Sequence, residues 1–425
     1  MRRCWQTFGV MVAVGVTLGC ASTRCDAPQV DAPQADADVA AYDDLAVLTE
    51  ALLLVQRHYV EEVPLQEIVY GAIDGMLLGL DPNSSFLPPK PLAVLEEETR
   101  GSFGGIGVSV GLEKDGVKVI APIEGSPAFK AGIHAGDTIR AVDGKKMSGV
   151  SMDDAVKAMR GEKGSEVKVT VERANGETVD VALVRDDIKL ASVKGVRELG
   201  DDIGYLRITQ FSEHAGEDFA QAMARLEQAK VKELILDLRD NPGGLLESAV
   251  AVTEQVLERG AEIVSVRGRD GEKPQQRFDA GPCKNRFAQI PLAVLVNGGS
   301  ASAAEIVAGA LKAHKRAVLV GETTYGKASV QNVIKLALRP ECAVRLTTGY
   351  YYTPDGAMIH GKGIVPDVEV PVSKSAWRQT QMRRLFEEMP GAASSGMTNM
   401  VNEVRDMQLE RAQELLKSAR ILNNG

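Results

Sequence analysis

Apolar positions along this chain change period several times, and each change marks a boundary. Leu45, Leu48, Leu52, Val55 and Tyr59 recur at helical spacing. A second helix is predicted from Leu65 to Leu80, where "LDPNSSFLPP" stops it with proline and turn residues, and a short third from Leu92 to Thr99. Between Phe103 and Val184 the period falls to two: "GVSVGL", "VKVIAP", "DTIRAV", "EVKVTVE" and "TVDVALV" read as strands. Asp115-Gly116, Asp143-Gly144 and Asn175-Gly176 punctuate them as turns, and Ser151 caps a helix running to Met159. From Ile203 strand and helix alternate. "GYLRI" precedes a helix near 217–229; "ELILDLR" runs into "DNPGG" and a helix over 245–259; "EIVSVR", "LAVLVN" and "AVLVGE" are further buried strands. "ASVQNVIKLAL" and "AVRLTTGYYYTP" close the series as strands. Such alternation predicts an α/β layered core. The last stretch, 375–425, is polar and helical and reads as an appendage. Its "VNEVRDMQLERAQELLKSA" has apolar spacing suited to packing on a neighbour or on another copy of the chain, which makes self-association through the terminal helices an expectation.

The N-terminal end changes the picture of where the chain works. Arg2 and Arg3 precede an apolar run over about 8–18, well short of the roughly 20 residues that span a bilayer. A basic start, a short apolar stretch and a small-residue exit read as a secretory signal. The exit, "TLGCAS", resembles a bacterial lipoprotein cleavage site, which implies lipidation of Cys20 and a membrane anchor; the alternative is ordinary cleavage nearby. The repeat in "DAPQVDAPQADAD" lacks bulky apolar residues and reads as a flexible tether over 21–41. The resulting plan is a signal over 1–20, the tether, a helical segment over 42–100, a β-rich domain over 101–186, an α/β core over 187–372 and a helical tail over 373–425. At 425 residues the chain is long enough for two cores. Its net charge of −9 gives no basis for a nucleic-acid partner. An exported chain can keep disulfides. Loss of the signal leaves Cys283 and Cys342 as the pair in the folded part, either bridged or as two separate thiols. No Cys/His spacing suits zinc.

Candidate chemistry gathers at three strand ends. "ILDLR" runs into Asn241-Pro242-Gly243-Gly244, "LAVLV" into Asn297-Gly298-Gly299-Ser300-Ala301-Ser302, and "AVLVGE" into Thr323-Thr324-Tyr325-Gly326-Lys327. Parallel strands would bring all three loops to one edge, where reactive groups collect. The serines are helix caps or a nucleophile. Of the five histidines, His58, His134 and His314 lie elsewhere, and neither His214 nor His360 sits in an obvious strand-end loop. Lys327 can serve as base only when neutral; moving its pKa from about 10.4 to about 7.5 takes roughly 4 kcal/mol, which burial among small apolar residues can supply. Gln331 offers an amide oxygen without adding charge. Taken alone, Lys327 reads as an exposed loop lysine.

In order along the chain, "DLRDNPGG", "NGGSASAAEIVAGAL", "VGETTYGKASVQ", "LTTGYYYTPDG" and "GKGIVPDV" resemble the carboxyl-terminal processing proteases of peptidase family S41, as does "AIDGMLLGLDPNSSFL" before them. The likeness covers about 42–370. "FGGIGV" with "SPAFKAGIHAGDTIRAVDG" resembles a PDZ domain, in which Gly104, Gly105, Ile106 and Gly107 would form the loop that holds a terminal carboxylate and the next strand would pair with the bound tail. The resemblance implies a protease core of repeated ββα units with an inserted PDZ domain, and an exported serine endopeptidase that needs no metal or cofactor. Its substrates would be proteins with apolar C-termini in the bacterial periplasm or cell envelope. The family's Ser-to-Lys interval implies Ser302 as nucleophile, with Lys327 as base and Gln331 as its orienting partner. The oxyanion hole would use the N–H of Ala303 and of Gly243 or Gly244. Ala328 stands where the family usually has glycine, and Ala304 where a third serine is common. From other classes, a catalytically silent PDZ scaffold and an anion-binding loop at "NGGSAS" are the rival readings, the second weakened by the missing Gly-Lys-Ser/Thr ending.

Overall fold

The computed structural model describes residues 35–388 and 404–423, apart from 114, 124, 174, 270, 272–273 and 282–286. The chain divides into two units, 1–71 and 72–425. Helix α1 (Ala35–His58) begins inside the segment read as a tether, because "ADADVAA" is rich in alanine, the strongest helix former. Helix α2 (Leu65–Leu78) follows. Cys20 and Cys283 lie outside the described residues, so the anchor and the disulfide do too; Cys342 is buried.

After α2 come β1 (Ser85–Leu87) and α3 (Pro89–Arg100), which ends on Gly101 in the left-handed region. Strand β2 (Ser102–Gly105) then enters the β-rich domain: β3 (Val108–Glu113), β4 (Gly116–Pro122), α4 (Pro127–Lys130), β5 (Thr138–Val142), β6 (Lys145–Lys146), α5 (Met152–Met159), β7 (Glu166–Glu172) and β8 (Thr178–Val184). Ser151 caps α5 by accepting the Asp154 N–H. The sheet order is β3-β4-β5-β7-β8, around a core of its own that includes Ile106, Val117, Ile139, Met147 and Val169. The exit strand β9 (Asp186–Lys189) pairs antiparallel with the entry strand β2. The domain is therefore an insertion, since its two connections lie side by side.

The core continues with β10 (Val193–Glu198), β11 (Ile203–Ile208), α6 (Ala215–Gln228), β12 (Glu233–Asp237), α7 (Leu246–Thr253), β13 (Glu262–Arg267), β14 (Gln276–Asp279), β15 (Leu292–Val296), α8 (Ala303–Ala313) and β16 (Val318–Gly321). It closes with β17 (Ser329–Leu336), β18 (Arg339–Tyr352), β19 (Val368–Glu369), α9 (Lys374–Glu388) and α10 (Met407–Asn423). Helix α7 stops short of the 259 expected from pattern. The Thr253 hydroxyl donates to the Ala249 carbonyl and the next N–H groups bond three residues back, which tightens and ends the helix.

One sheet has the order β10-β11-β12-β15-β16-β19, parallel from β11 onward. Its central strands are buried on both faces, as a covered parallel sheet requires. The second sheet has the order β1-β18-β13-β14, with β17 also on β18. Strand β1, before the insertion, thus completes a sheet made after it. The C-terminal helix is no appendage: Ala412 and Leu416 of α10 are buried with Tyr205, Ile235, Ala293 and Leu295 of the main sheet, so the apolar face that spacing left without an owner packs within the chain.

Candidate active site

Strands β12, β15 and β16 are adjacent and parallel, so the three candidate loops leave one edge of the sheet. Hydrogen bonds then knit loop to loop. Ala301 N–H donates to the Asn241 carbonyl at 2.9 Å, and Tyr325 N–H to the Ser300 carbonyl at 3.0 Å. Ser300 is fully buried; its hydroxyl donates to the Leu238 carbonyl and accepts the Asn297 N–H.

Ser302 differs in every respect. It is partly exposed, sits at the N-cap of α8 and has φ +55° and ψ −115°. Those angles belong to the first central position of a type II′ turn, a place for glycine, and the turn is closed by Ala304 N–H on the Ala301 carbonyl at 3.1 Å. A non-glycine residue held there stores backbone strain. The strained turn lifts the Ser302 side chain from the sheet edge at the start of a helix, whose dipole favours negative charge.

The residue that pattern reading missed is Glu305. It is fully buried, one turn into α8, and its carboxylate takes four donors. Oε1 accepts from Thr324 Oγ1 and Gly326 N, both at 2.6 Å; Oε2 accepts from Lys327 N at 2.8 Å and Ser302 N at 2.9 Å. One carboxylate thereby joins the serine turn to the lysine loop. The signal was present as Ser-x-x-Glu, the spacing of a capping box. From the other side the Tyr351 hydroxyl reaches the carbonyls of both Lys327 and Ser302. Burial, helped by the Glu305 charge, holds that phenol well above its ordinary pKa, so it stays a donor.

Lys327 is half-buried. Burial, and then the positive charge of Arg345, lower its pKa. The ring of small residues expected around it is there: Ala328 is fully buried, and Gly326 has φ +89° with no room for a Cβ against the 361–363 backbone. Gln331, on β17, donates through Nε2 to Thr347 Oγ1 at 3.4 Å. His360 accepts the Ala328 N–H through Nδ1, and His214 sits at the start of α6 with Glu217 4.0 Å away.

The glycine pair after β12 is shaped for close approach. At Gly243, φ is +103°, and a Cβ would fall 2.7 Å from Ser302 Cβ and 3.0 Å from Ala303 N. At Gly244, φ is +141°, and a Cβ would strike the Phe211 carbonyl. The Gly243 N–H is already spent on Asn241 Oδ1 at 2.9 Å. Beside this loop lies a cavity of about 980 Å³, lined by Ser302, Ala303, Gly244, Gln331 and apolar groups such as Leu245 and Ile306.

Behind the glycine loop stands a buried charge cluster. Arg239 bonds Asp237 and, through both terminal nitrogens, Asp406 just before α10, each at 2.8 Å. Arg384 on α9 adds a bond to Asp237, and Trp377 lies against both guanidinium groups. Burial alone would raise the Asp237 pKa; Arg239 and Arg384 outweigh it and hold the carboxyl far below its usual range.

In the inserted domain, Gly104 and Gly105 belong to β2 rather than to an open loop. Gly104 abuts the Gly161 carbonyl, where no Cβ would fit. Ile106 is buried, and Gly107, at φ +77°, packs on Ser126. The outer edge of β3 carries no partner strand among the described residues. Arg160, at the end of α5, pairs with Glu97 of α3 at 3.2 Å and lies over the Phe103 ring; α3 in turn lines the cavity.

Comparison with known proteins agrees with this architecture. The sequence model of Peptidase family S41 matches residues 202–370 and that of the PDZ domain residues 104–184. A carboxy-terminal-processing protease of Bartonella bacilliformis is 43% identical over 77% of this chain and 75% of its own length. The carboxy-terminal processing protease CtpA of Bacillus subtilis is 38% identical over 76% of this chain and 68% of its own. A putative S41 protease of Bacteroides fragilis shares the fold with a TM-score of 0.50 at 17% identity, covering 85% of this chain and 92% of that one. The chain belongs to the carboxy-terminal processing proteases of peptidase family S41, with a PDZ domain inserted beside its protease core.

Proposed function

We propose that this chain is an exported serine endopeptidase in which Ser302 is the nucleophile and Lys327 the general base. The observation that carries the reading is the Glu305 carboxylate, which accepts the backbone N–H of both residues on one oxygen. Neutral Lys327 takes the hydroxyl proton as Ser302 Oγ adds to the scissile carbonyl carbon. The resulting oxyanion is held by the N–H of Ala303 and of Gly244, since Gly243 donates to Asn241. Collapse breaks the C–N bond, and the lysine ammonium returns its proton to the leaving amine. Water then adds to the acyl ester with Lys327 again as base, releasing the new carboxyl terminus and restoring the serine. Gln331 accepts a hydrogen bond from the amine and directs its lone pair.

The PDZ domain brings the substrate. A free C-terminal carboxylate docks at the turn 104–107, the tail pairs with β3, and apolar terminal side chains are preferred. Through Arg160 and Glu97 the occupied domain bears on α3 and so on the cavity wall. Lipidation of Cys20 ties the enzyme to a bacterial envelope membrane. The test is cleavage of one unfolded protein with a free apolar C-terminus. Ser302→Ala and Lys327→Ala should each abolish it in folded protein, and Lys327→Arg should be equally inactive because arginine keeps its proton. Undiminished cleavage by Ser302→Ala would refute the assignment.

A further inference from the structure

The turn "LDPNSS" has no place in the chemistry above, yet it touches it. Asp81 closes the turn: Oδ1 accepts the N–H of Asn83 at 2.7 Å and of Ser84 at 2.9 Å, and Oδ2 accepts the Ser84 hydroxyl at 2.7 Å. Ser84 is buried, and its Oγ accepts the N–H of Thr347 on β18 at 3.1 Å. The Thr347 side chain also hydrogen-bonds Asp81. Burial pushes the Asp81 carboxyl up, but its hydrogen bonds to Ser84, Asn83 and Thr347 prevail and its pKa lies below the ordinary value. Arg345, two residues before Thr347, donates to the Asn83 carbonyl at 3.1 Å.

Thr347 stands opposite Gln331 in the β17–β18 pairing. The register slips there: Val330 faces Gly349 and Gln331 faces Thr347, so Thr348 is an extra residue on β18. Bulges of this kind re-aim side chains beside active sites. The result is a run of three side chains, Asp81, Thr347 and Gln331, that ends in the cavity holding Ser302.

Donor and acceptor counting gives this run a direction. An ionised carboxylate only accepts, and a threonine hydroxyl has one proton. The Thr347 proton must go to Asp81, so Thr347 offers Gln331 a lone pair. Only the NH₂ end of the Gln331 amide can meet it, which leaves the amide oxygen to face the opposite way. The two ends of an amide are nearly alike in shape, and hydrogen-bond partners alone tell them apart. We propose that Asp81, acting through the Thr347 hydroxyl, fixes which end of the Gln331 amide faces Lys327, making the 81–84 turn a positioning element of the catalytic group. This rests on the assignment of Gln331 as the partner of Lys327.

The experiment is steady-state cleavage of an unfolded protein with a free apolar C-terminus. Thr347→Val should lower kcat about tenfold with KM unchanged, the size of one lost orienting hydrogen bond, and Thr347→Ser should restore it. Asp81→Asn should cost at least as much. Its oxygen is needed by the two backbone N–H groups, so its NH₂ faces Thr347, turns the hydroxyl round and draws the wrong end of Gln331 towards it. In a Gln331→Leu background, Asp81→Asn should cost nothing more, whereas a turn that serves only stability would give losses that multiply. Full kcat in Thr347→Val, or multiplying losses in the double variant, overturns the relay while leaving Gln331 in its role. Full kcat in Gln331→Leu overturns the role of Gln331 and the relay with it. Should Asp81→Asn not fold, Thr347→Val against Thr347→Ser decides alone.

Discussion

Ser302 and Lys327 present their backbone N–H groups to the same atom, Oε2 of Glu305, at 2.9 and 2.8 Å. The two residues come from different loops, and this shared oxygen sets their separation. Glu305→Gln keeps the shape but puts an NH₂ group where donors converge. Each buried donor left unmet costs about 1–3 kcal/mol. Cleavage should fall by at least about tenfold and thermal stability should drop; unchanged kcat and Tm would show that the shared oxygen does not matter.

The neighbouring serines should respond in opposite ways. Ser300→Ala leaves the Asn297 N–H and the Leu238 carbonyl without their partner, so it should lose about 1–3 kcal/mol yet keep proteolysis. Ser302→Ala should abolish proteolysis with little change in stability, because alanine inherits the same strained φ. Ser302→Gly should be inactive and more stable than Ser302→Ala, since releasing roughly 1–3 kcal/mol of strain outweighs the smaller entropic cost of glycine. Denaturation midpoints of the four proteins decide the order.

Activity should rise with pH as Lys327 loses its proton, and the rise should begin below the pH of an ordinary lysine. Burial, and then Arg345, shift the balance towards the neutral amine. Arg345→Gln should move the rising limb of kcat/KM to higher pH. The sign for stability is the same. Between the lowered folded value and the ordinary unfolded one, the unfolded chain binds more protons, so stability also climbs with pH. Lys327→Met should flatten that climb. A pH–rate profile and urea midpoints across the alkaline range test both.

The tail is expected to be essential for folding. Asp406 closes both ends of the Arg239 guanidinium, and removing it by Asp406→Ala strands a buried charge at a cost of about 3–5 kcal/mol. Because Arg239 leads into the Asn241–Gly244 loop, proteolysis should fall together with the urea midpoint. A variant that unfolds like the parent would mean the clamp is dispensable.

The PDZ reading is tested by matched tails on one unfolded substrate. A free-acid apolar end should be cut fastest, and amidation or two added acidic residues should slow cleavage several-fold or more. Equal initial rates would show that the domain does not read C-termini.

Local pattern alone determined the order of elements, the turn at Asp143-Gly144, the Ser151 cap and the three strand ends where chemistry collects, because these depend on neighbours within one turn of helix or one hairpin. The family likeness supplied the choice of Ser302 over Ser300. Only tertiary structure decided the rest. Glu305 reads in sequence as an ordinary helix acid; it becomes a hub because the 324–327 backbone folds over it. The Gly243 N–H is committed to a side chain two residues back, which no spacing reveals. Likewise the tail that looked like an appendage is joined to Arg239 across 167 positions of chain, and Asp81 meets Thr347 only because β1 pairs with β18. Contacts so distant in sequence leave no periodic trace. They are selected by burial, which makes a lone carboxylate or guanidinium too costly unless the fold brings it a partner.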